Sequence, residues 1–336
     1  MRGANQAPPT DEVAEAVRVG LRTATPSVLV TGVGGAAGRS LATQLVARGV
    51  HVVGTDIVGV DLPGVTTELV PRADDRRFVP ALTKIATQMG ADLVIPTVTE
   101  ELGVLAGVPA GSLGNGAPAR IVVGPAAAVR VADDKWRTYE RLLTAGVAVP
   151  RSWCRPHPVG RHALTDPAVV EAAVGMPAVS KPRVGRGGRG VVVLREPLDI
   201  GPDVTAHGRL LQKFVPGTES AVDLYIASHP QSGASVVSGA AVVLEKMALA
   251  QGEVGNAVEV RAVDELDVAV LAVRAAGAIG LTGPADVDIR RRRDGVPVVL
   301  EINARFGAHS AAAPGVLDAL LAEWLPSALT GVRQVA

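Results

Sequence analysis

The stretch ADVDIRRRRDGVPVVLEINAR, residues 285–305, alternates acidic with apolar residues, reaches a turn, and resumes the alternation beyond it. Asp294-Gly295 is a favoured two-residue hairpin turn. With those two residues as the loop, Arg293 pairs with Val296, Asp288 with Glu301 and Asp286 with Asn303. Strand side chains alternate, so Asp286, Asp288, Glu301 and Asn303 share one face, while Val287, Ile289, Leu300 and Ile302 share the other. Directly paired Cβ atoms lie about 4.5–5.5 Å apart, so the carboxylates of Asp288 and Glu301 repel unless something positive stands between them. Hard oxygen ligands without cysteine or histidine favour Mg²⁺ or Mn²⁺ over zinc. Neighbouring arginines neutralising an exposed polar face are the other solution, and these residues alone leave both open. The run Arg290–Arg293 reads as a solvated hairpin tip, because alternation splits it between two faces and no aromatic residues are interleaved for nucleic-acid stacking.

Working outward, strand patterns precede the hairpin at Ala178–Lys181, Val191–Leu194, Leu210–Phe214, Ala221–Ile226 and Val236–Leu244. A helix is expected from about Asp264 to Ile279 and another from Val316 to Leu329. Asp134 opens a helix that Gly146 closes, with Trp136, Tyr139 and Leu143 spaced along one face. Earlier still, strands at Val28–Thr31, His51–Asp56, Asp92–Pro96 and Arg120–Val123 alternate with helices up to Ala47, near Phe78–Met89 and from Glu100. That order predicts an α/β unit over residues 27–125 with a parallel sheet covered on both faces. Residues 1–26 read as a tail containing a short helix from Asp11 to Arg22.

The loop Gly32-x-Gly34-x-x-x-Gly38 follows a strand and opens a helix, which places backbone N–H groups where a phosphate could sit, with Asp56 at a ribose position. The same glycines also suffice for a tight strand-to-helix turn. An NAD(P)-binding oxidoreductase is therefore one reading of this segment.

Composition removes other classes. The chain has 336 residues, 48% apolar and 20% charged, with 38 Gly and 24 Pro, a globular composition rich in turns. Lys+Arg and Asp+Glu are both 33, so no global field draws the protein to nucleic acid or an anionic membrane. No run approaches the roughly 20 apolar residues a membrane helix needs. Cys154 is the single cysteine, which excludes an intrachain disulfide, and no leader-like segment opens the sequence, so the cytoplasm is expected. No lysine follows glycine, no histidine precedes glutamate, and no serine sits in Gly-x-Ser-x-Gly, so the P-loop, zincin and nucleophile-elbow patterns are all missing.

Four segments in order carry a resemblance: Asp134-Lys135 with its helix; Val179-Ser180-Lys181-Pro182 followed by the glycine loop 185–190; Gln212-Lys213-Phe214-Val215-Pro216-Gly217-Thr218-Glu219; and Glu301-Ile302-Asn303-Ala304-Arg305. Together they resemble the ATP-grasp superfamily, and within it the carbamoyl-phosphate-synthetase-like carboxylate–amine ligases. The resemblance implies a Rossmann-like pre-ATP-grasp domain over 27–125 and a two-subdomain ATP-grasp fold over 126–336, with a lid-bearing subdomain at about 150–213. It shifts the weight of the first glycine loop toward turn geometry. Lys135 and Lys181 are then expected on ATP phosphates, with Gly187 and Gly188 in a mobile lid. The Lys213 carbonyl and the Val215 N–H are expected on adenine, bordered by Gln212 and Phe214, and Glu219 on ribose. The resemblance assigns Asp288, Glu301 and Asn303 to the metal, in agreement with the hairpin argument. Arg305 is expected to stabilise the phosphate in transfer; Ala304 replaces the proline of the family's motif. Lys246 and Glu253 lie where relatives bind the acceptor and are substrate candidates. The implied activity is ATP- and Mg²⁺-dependent joining of a small-molecule carboxylate to an amine through an acyl phosphate, with a homodimer as the family expectation. A bicarbonate-activating enzyme of the carbamoyl-phosphate type and a non-catalytic ATP-binding regulator are the other readings.

Overall fold

The computed structural model describes residues 25–109, 113, 119–155, 167–227 and 239–330. The expected helix at Asp11–Arg22 falls outside them. The first unit contains β1 (Ser27–Thr31), α1 (Ala36–Ala47), β2 (His51–Asp56), β3 (Thr66–Leu69), α2 (Phe78–Gln88), β4 (Leu93–Ile95), α3 (Thr99–Leu105) and β5 (Arg120–Ile121). Its five strands are parallel in the order β3-β2-β1-β4-β5. Every residue of β1 is buried, because Val28 and Val30 pack against Leu41 and Leu45 of α1 while Leu29 packs against Phe78 and Leu82 of α2. That two-sided burial is why β1 reads as a continuous apolar run.

Two further helices, α4 (Ala126–Asp133) and α5 (Lys135–Thr144), lead to a small antiparallel sheet. It is built from β6 (Ser152–Cys154), β7 (Ala178–Pro182), β8 (Val192–Leu194) and β9 (Arg209–Lys213) in the order β6-β9-β7-β8, and α6 (Pro167–Val174) packs on it. Helices α4 and α6 and strands β3 and β6 are not expected from the residue pattern. In α5 the buried positions are Thr138 and Leu142, and Leu143 is 56% exposed. The expected apolar face of Trp136, Tyr139 and Leu143 is therefore corrected; the Trp136 and Tyr139 rings, 5.2 Å apart, pack on each other instead.

The second antiparallel sheet has the order β12-β11-β10-β13-β14, with β10 (Glu219–Ile226), β11 (Gly239–Leu249), β12 (Ala257–Val263), β13 (Gly283–Arg291) and β14 (Pro297–Asn303). The strand expected to end at Leu244 continues to Leu249 and pairs with β12, which the sequence reading missed. Helix α7 (Leu266–Ala278) covers the apolar face of this sheet. The expected C-terminal helix is broken: α8 (Pro314–Trp324) stops at Leu325, whose φ of −149° is non-helical as the residue before Pro326 requires, and α9 (Ser327–Thr330) follows. Leu317 and Leu320 of α8 join the core formed by Val28, Val30 and α1, so the C-terminus closes onto the first sheet.

The β13–β14 hairpin differs from expectation at its tip and agrees at its base. Gly295, at φ +81°, and the bond from the Arg292 N–H to the Val296 carbonyl make a three-residue loop at 293–295. The register is thereby shifted by one, pairing Arg291 with Pro297, Arg290 with Val298 and Ile289 with Val299. A bulge at Leu300 restores the shift, so Asp288 does face Glu301 and Asp286 does face Asn303. The core position expected for Leu300 is taken by Val299, which is 2% exposed.

Candidate active site

In the large sheet, directly opposed residues point to the same side. Ala221 lies between Asp288 and Leu244, Asp223 lies opposite Asp286, and Glu219 lies opposite Arg290. One face thus carries Glu219, Asp223, Lys246, Asp286, Asp288, Arg290, Glu301 and Asn303, while Val222, Leu224, Val287 and Ile289 face the core. Two adjoining cavities open on the polar face. The larger, about 760 Å³, lies between the first unit, the loop at Arg186–Arg189 and the sheet; the smaller, about 120 Å³, lies between the small sheet and the large one. Lys246, Asp288 and Glu301 line both.

Lys246 Nζ donates at 2.6 Å to Glu219 Oε1 and at 2.6 Å to Asp288 Oδ1. Burial opposes its charge, but these two carboxylates outweigh burial and hold the ammonium protonated well above the ordinary lysine range. Lys135, the first residue of α5, places Nζ 3.2 Å from Glu301 Oε2 and donates to the Gly185 carbonyl at 2.7 Å. Lys181, 7% exposed at the end of β7, donates to the Leu300 carbonyl at 3.2 Å, the group that the bulge presents. Burial pulls Lys181 down to about 8, against the attraction of Glu301. Burial pushes Glu301 up, yet Lys135 and then Lys181 bring it down to about 2. Asp288 goes the other way, up to about 6, through burial that the attraction of Lys246 does not offset and the added repulsion of Glu301 and Glu219. The two carboxylates of the hairpin are therefore electrostatically unlike.

Of the residues expected on a nucleotide, Lys135, Lys181, Gly187, Gly188, Gln212, Lys213, Phe214, Val215 and Glu219 all line the smaller cavity. Gly187 and Gly188 have φ of +67°, and a Cβ on Gly188 would lie 2.7 Å from the Gly255 Cα, so this loop fits against the β11–β12 turn only as glycine. The Gln212 amide donates to Ser152 Oγ at 3.3 Å, and Lys213 Nζ donates to the Met176 carbonyl. The Val215 N–H has no hydrogen-bond partner among the described residues. Asn303 lines the larger cavity, its Nδ2 donating to the Asp286 carbonyl at 3.4 Å. Arg305 also lines the larger cavity, with Nη1 donating to the Phe306 carbonyl at 2.7 Å and Nε to Thr99 Oγ1 at 3.4 Å.

Two expectations are corrected. Glu253 lines neither cavity; its carboxylate pairs with Arg195 outside them, and its backbone carbonyl accepts from Arg290. Arg290 is not part of a solvated tip. It is 7% exposed, stands 2.5 Å from Glu219 Oε2, donates to the Val215 carbonyl at 3.0 Å, and lies over the Phe214 ring at 5.4 Å. The signal was available, since Arg290 has the same parity as Asp286 and Asp288. Asp223 carries the same kind of signal, being two and four residues from Ala221 and Glu219 on β10. In the first glycine loop, Gly32 has φ +63° and a Cβ on Gly38 would meet the Gly32 carbonyl oxygen at 2.3 Å, while Asp56 accepts from the N–H groups of Gly34 and Ile57 at 2.8 and 2.7 Å. Those glycines are required by the turn itself, and the Asp56 carboxylate is committed to it.

Among the described residues no helix is long and apolar enough to cross a membrane. No curated protein matches the chain by sequence. Solved structures resemble it in fold. An L-amino acid ligase from Bacillus licheniformis superposes with a TM-score of 0.62 at 16% identity, over 91% of this chain and 77% of that one. An N5-carboxyaminoimidazole synthetase from Staphylococcus aureus, complexed with ADP, gives 0.64 at 16% identity over 90% and 78%. A biotin carboxylase from Campylobacter jejuni gives 0.57 at 15% identity over 85% and 67%. A sequence profile of the ATP-grasp domain matches residues 132–309, more than half of the chain, and the protein belongs to the ATP-grasp family.

Proposed function

We propose that the protein is an ATP-dependent carboxylate–amine ligase, in which a substrate carboxylate attacks the γ-phosphate of ATP and an amine then displaces phosphate from the acyl phosphate to form an amide or peptide bond. The observation that carries this reading is the meeting of Lys135 and Lys181, which line the cavity bordered by residues 212–215, with Glu301, on the wall that this cavity shares with a second, larger one that contains Arg305. Phosphoryl transfer needs positioning and charge neutralisation more than covalent help, and this wall supplies both without a nucleophilic side chain. The solved neighbour named as an L-amino acid ligase supports an amino acid on at least one side.

In this reading Lys135 and Lys181 neutralise the phosphates and the loop at Gly187 and Gly188 covers them. The Lys213 carbonyl and Val215 N–H meet the adenine edge beside Gln212 and Phe214, and Glu219, held by Lys246 and Arg290, accepts from the ribose. Arg305 stabilises the transferred phosphate and the acyl phosphate. The smaller cavity falls below the roughly 300–1,000 Å³ usual for ligand sites, so nucleotide entry requires the loop at 185–190 to lift. Asp288, Glu301 and Asn303 offer only oxygen donors, which fits a hard divalent ion, Mg²⁺ or Mn²⁺. When bound, such an ion would neutralise charge on the β- and γ-phosphates. The same reading divides the chain into residues 27–125, beside the larger cavity, and an ATP-grasp unit over 126–336 whose lid lies at about 150–213.

The test is ADP release with ATP, Mg²⁺ and the twenty amino acids, singly and in pairs. Amine-dependent release is expected in the wild type, with a loss of about 100-fold or more in Lys181→Ala and Glu301→Ala. Unchanged turnover in both variants would overturn the site assignment.

A further inference from the structure

The floor of the larger cavity contains a feature that the ATP chemistry leaves unused. Asp223 and Asp286 stand opposite each other on β10 and β13, are 2% and 9% exposed, and both line the cavity. Asp223 Oδ2 and Asp286 Oδ1 are buried with no hydrogen-bond partner among the described residues. A buried carboxylate oxygen without a partner is costly, and two on opposed residues are more so. The fold nevertheless makes room for the pair. A Cβ on Gly307 would lie 2.3 Å from Asp223 Oδ1 and 3.2 Å from the Asp286 Cγ, so only glycine allows the chain to pass here.

We propose that Asp223 and Asp286 form the recognition site for the ammonium group of the amine substrate, an inference that rests on the ligase reading above. The surroundings favour an ammonium ion over a second metal ion. Besides the two carboxylates, the nearest groups are donors: the Gly307 N–H bonds to Asp223, and Arg305 Nη1 is 3.7 Å from Asp286 Oδ2. Donors cannot complete a metal's oxygen shell. An ammonium needs only two or three acceptors. The remaining cations on this face are committed elsewhere, Lys246 to Glu219 and Asp288, Arg290 to Glu219 and the Val215 carbonyl, and neither satisfies the pair. Position supports the same ligand, since Arg305, assigned to the acyl phosphate, adjoins Asp286. A nitrogen bound at the pair therefore waits beside the electrophile it must reach, and passes one proton to the Asp223 carboxylate so that its lone pair can attack.

The experiment measures KM for the amine and KM for ATP in Asp223→Asn, Asp286→Asn and Gly307→Ala, the last displacing the Asp223 carboxylate without removing its charge. Charge-assisted hydrogen bonds to an ammonium predict an amine KM raised about 10- to 100-fold in each variant, with the ATP KM within about twofold. A variant that loses ATP binding has lost its fold, and the others then decide. An unchanged amine KM in the variants that bind ATP overturns the inference and leaves the ligase reading standing. Recovery of the variants by excess Mg²⁺ overturns it in favour of a metal. Failure of every amine to elicit ADP release from the wild type removes the ligase reading and the inference with it.

Discussion

Lys181 is the residue at which burial and function conflict most directly. Its ammonium sits between two sheets, where desolvation favours the neutral amine and Glu301 only partly compensates, so it titrates at about 8. Phosphate oxygens favour the charged form, so on the proposed phosphate contact nucleotide would raise that pKa on binding. Below pH 8 the lysine is already charged and affinity should be flat. Above pH 8 each binding event must take up a proton, and affinity should fall by as much as tenfold per pH unit until the pKa of the complex is reached. Calorimetric titration of ATP at pH 7, 8 and 9, in buffers of different ionisation enthalpy, should show weakening affinity and proton uptake at the higher values. Lys181→Ala should bind weakly at all three with no uptake from this source. Equal affinity of the wild type at pH 7 and 9 would mean that Lys181 does not contact phosphate.

At the scale of the element, the β13–β14 hairpin shows what a sequence discloses and what it hides. Strand period is two, so once Asp288 was set opposite Glu301 the whole polar face followed, and the structure keeps that face. The one-residue errors were hidden because they cancel: the loop is one residue longer than Asp294-Gly295 suggests, and the bulge at Leu300 takes up the difference. No local residue type announces that bulge, whose Leu300 carbonyl accepts from Lys181. Arg290 was misread for another reason, since four successive arginines look like a solvated tip even though parity directs the first of them inward. The two kinds of arginine should separate in urea denaturation. Arg290→Ala removes one of the two cations that hold Glu219, and the bond to the Val215 carbonyl with it, and should cost about 1–3 kcal/mol. Arg292→Ala breaks an exposed pair with Asp294 and should leave the urea midpoint essentially unchanged. Comparable small effects from both would return Arg290 to the surface. Strands such as β12 escaped notice because Ala257–Val263 carries exposed and charged residues on an edge, where burial imposes no apolar pattern.

For the whole molecule, the distribution of cores predicts which parts move together. One face of the first sheet has a core of its own around Leu29, Phe78 and Leu82, but the other does not: Val28, Val30 and Leu41 share one cluster with Tyr225 and Leu244 of the large sheet, Phe306, and Leu317 and Leu320 of α8. The small sheet has its own core of Val170, Val174, Ala178, Leu194, Ile200 and Leu211. It meets the rest chiefly through polar links, among them Asp134 to Arg183 at 2.6 Å and Arg186 to Glu100. Polar links at a solvated boundary are weaker than a shared apolar core, so the small sheet should open first and alone. Native-state hydrogen exchange checks this with two variants, each expected to lose about 2–5 kcal/mol where its core is disturbed. Leu211→Ala should speed exchange in β7 and β9 and leave β1 and β10 unchanged, whereas Leu320→Ala should speed β1 and β10 together. On the proposed placement of ATP between the small sheet and the large one, ATP with Mg²⁺ should restore protection to β7 and β9 in the first variant by mass action and do little for β1. Leu320→Ala loosening β1 while β10 keeps its protection would mean that the first unit folds independently, and the closure of α8 onto it would then lose its structural importance.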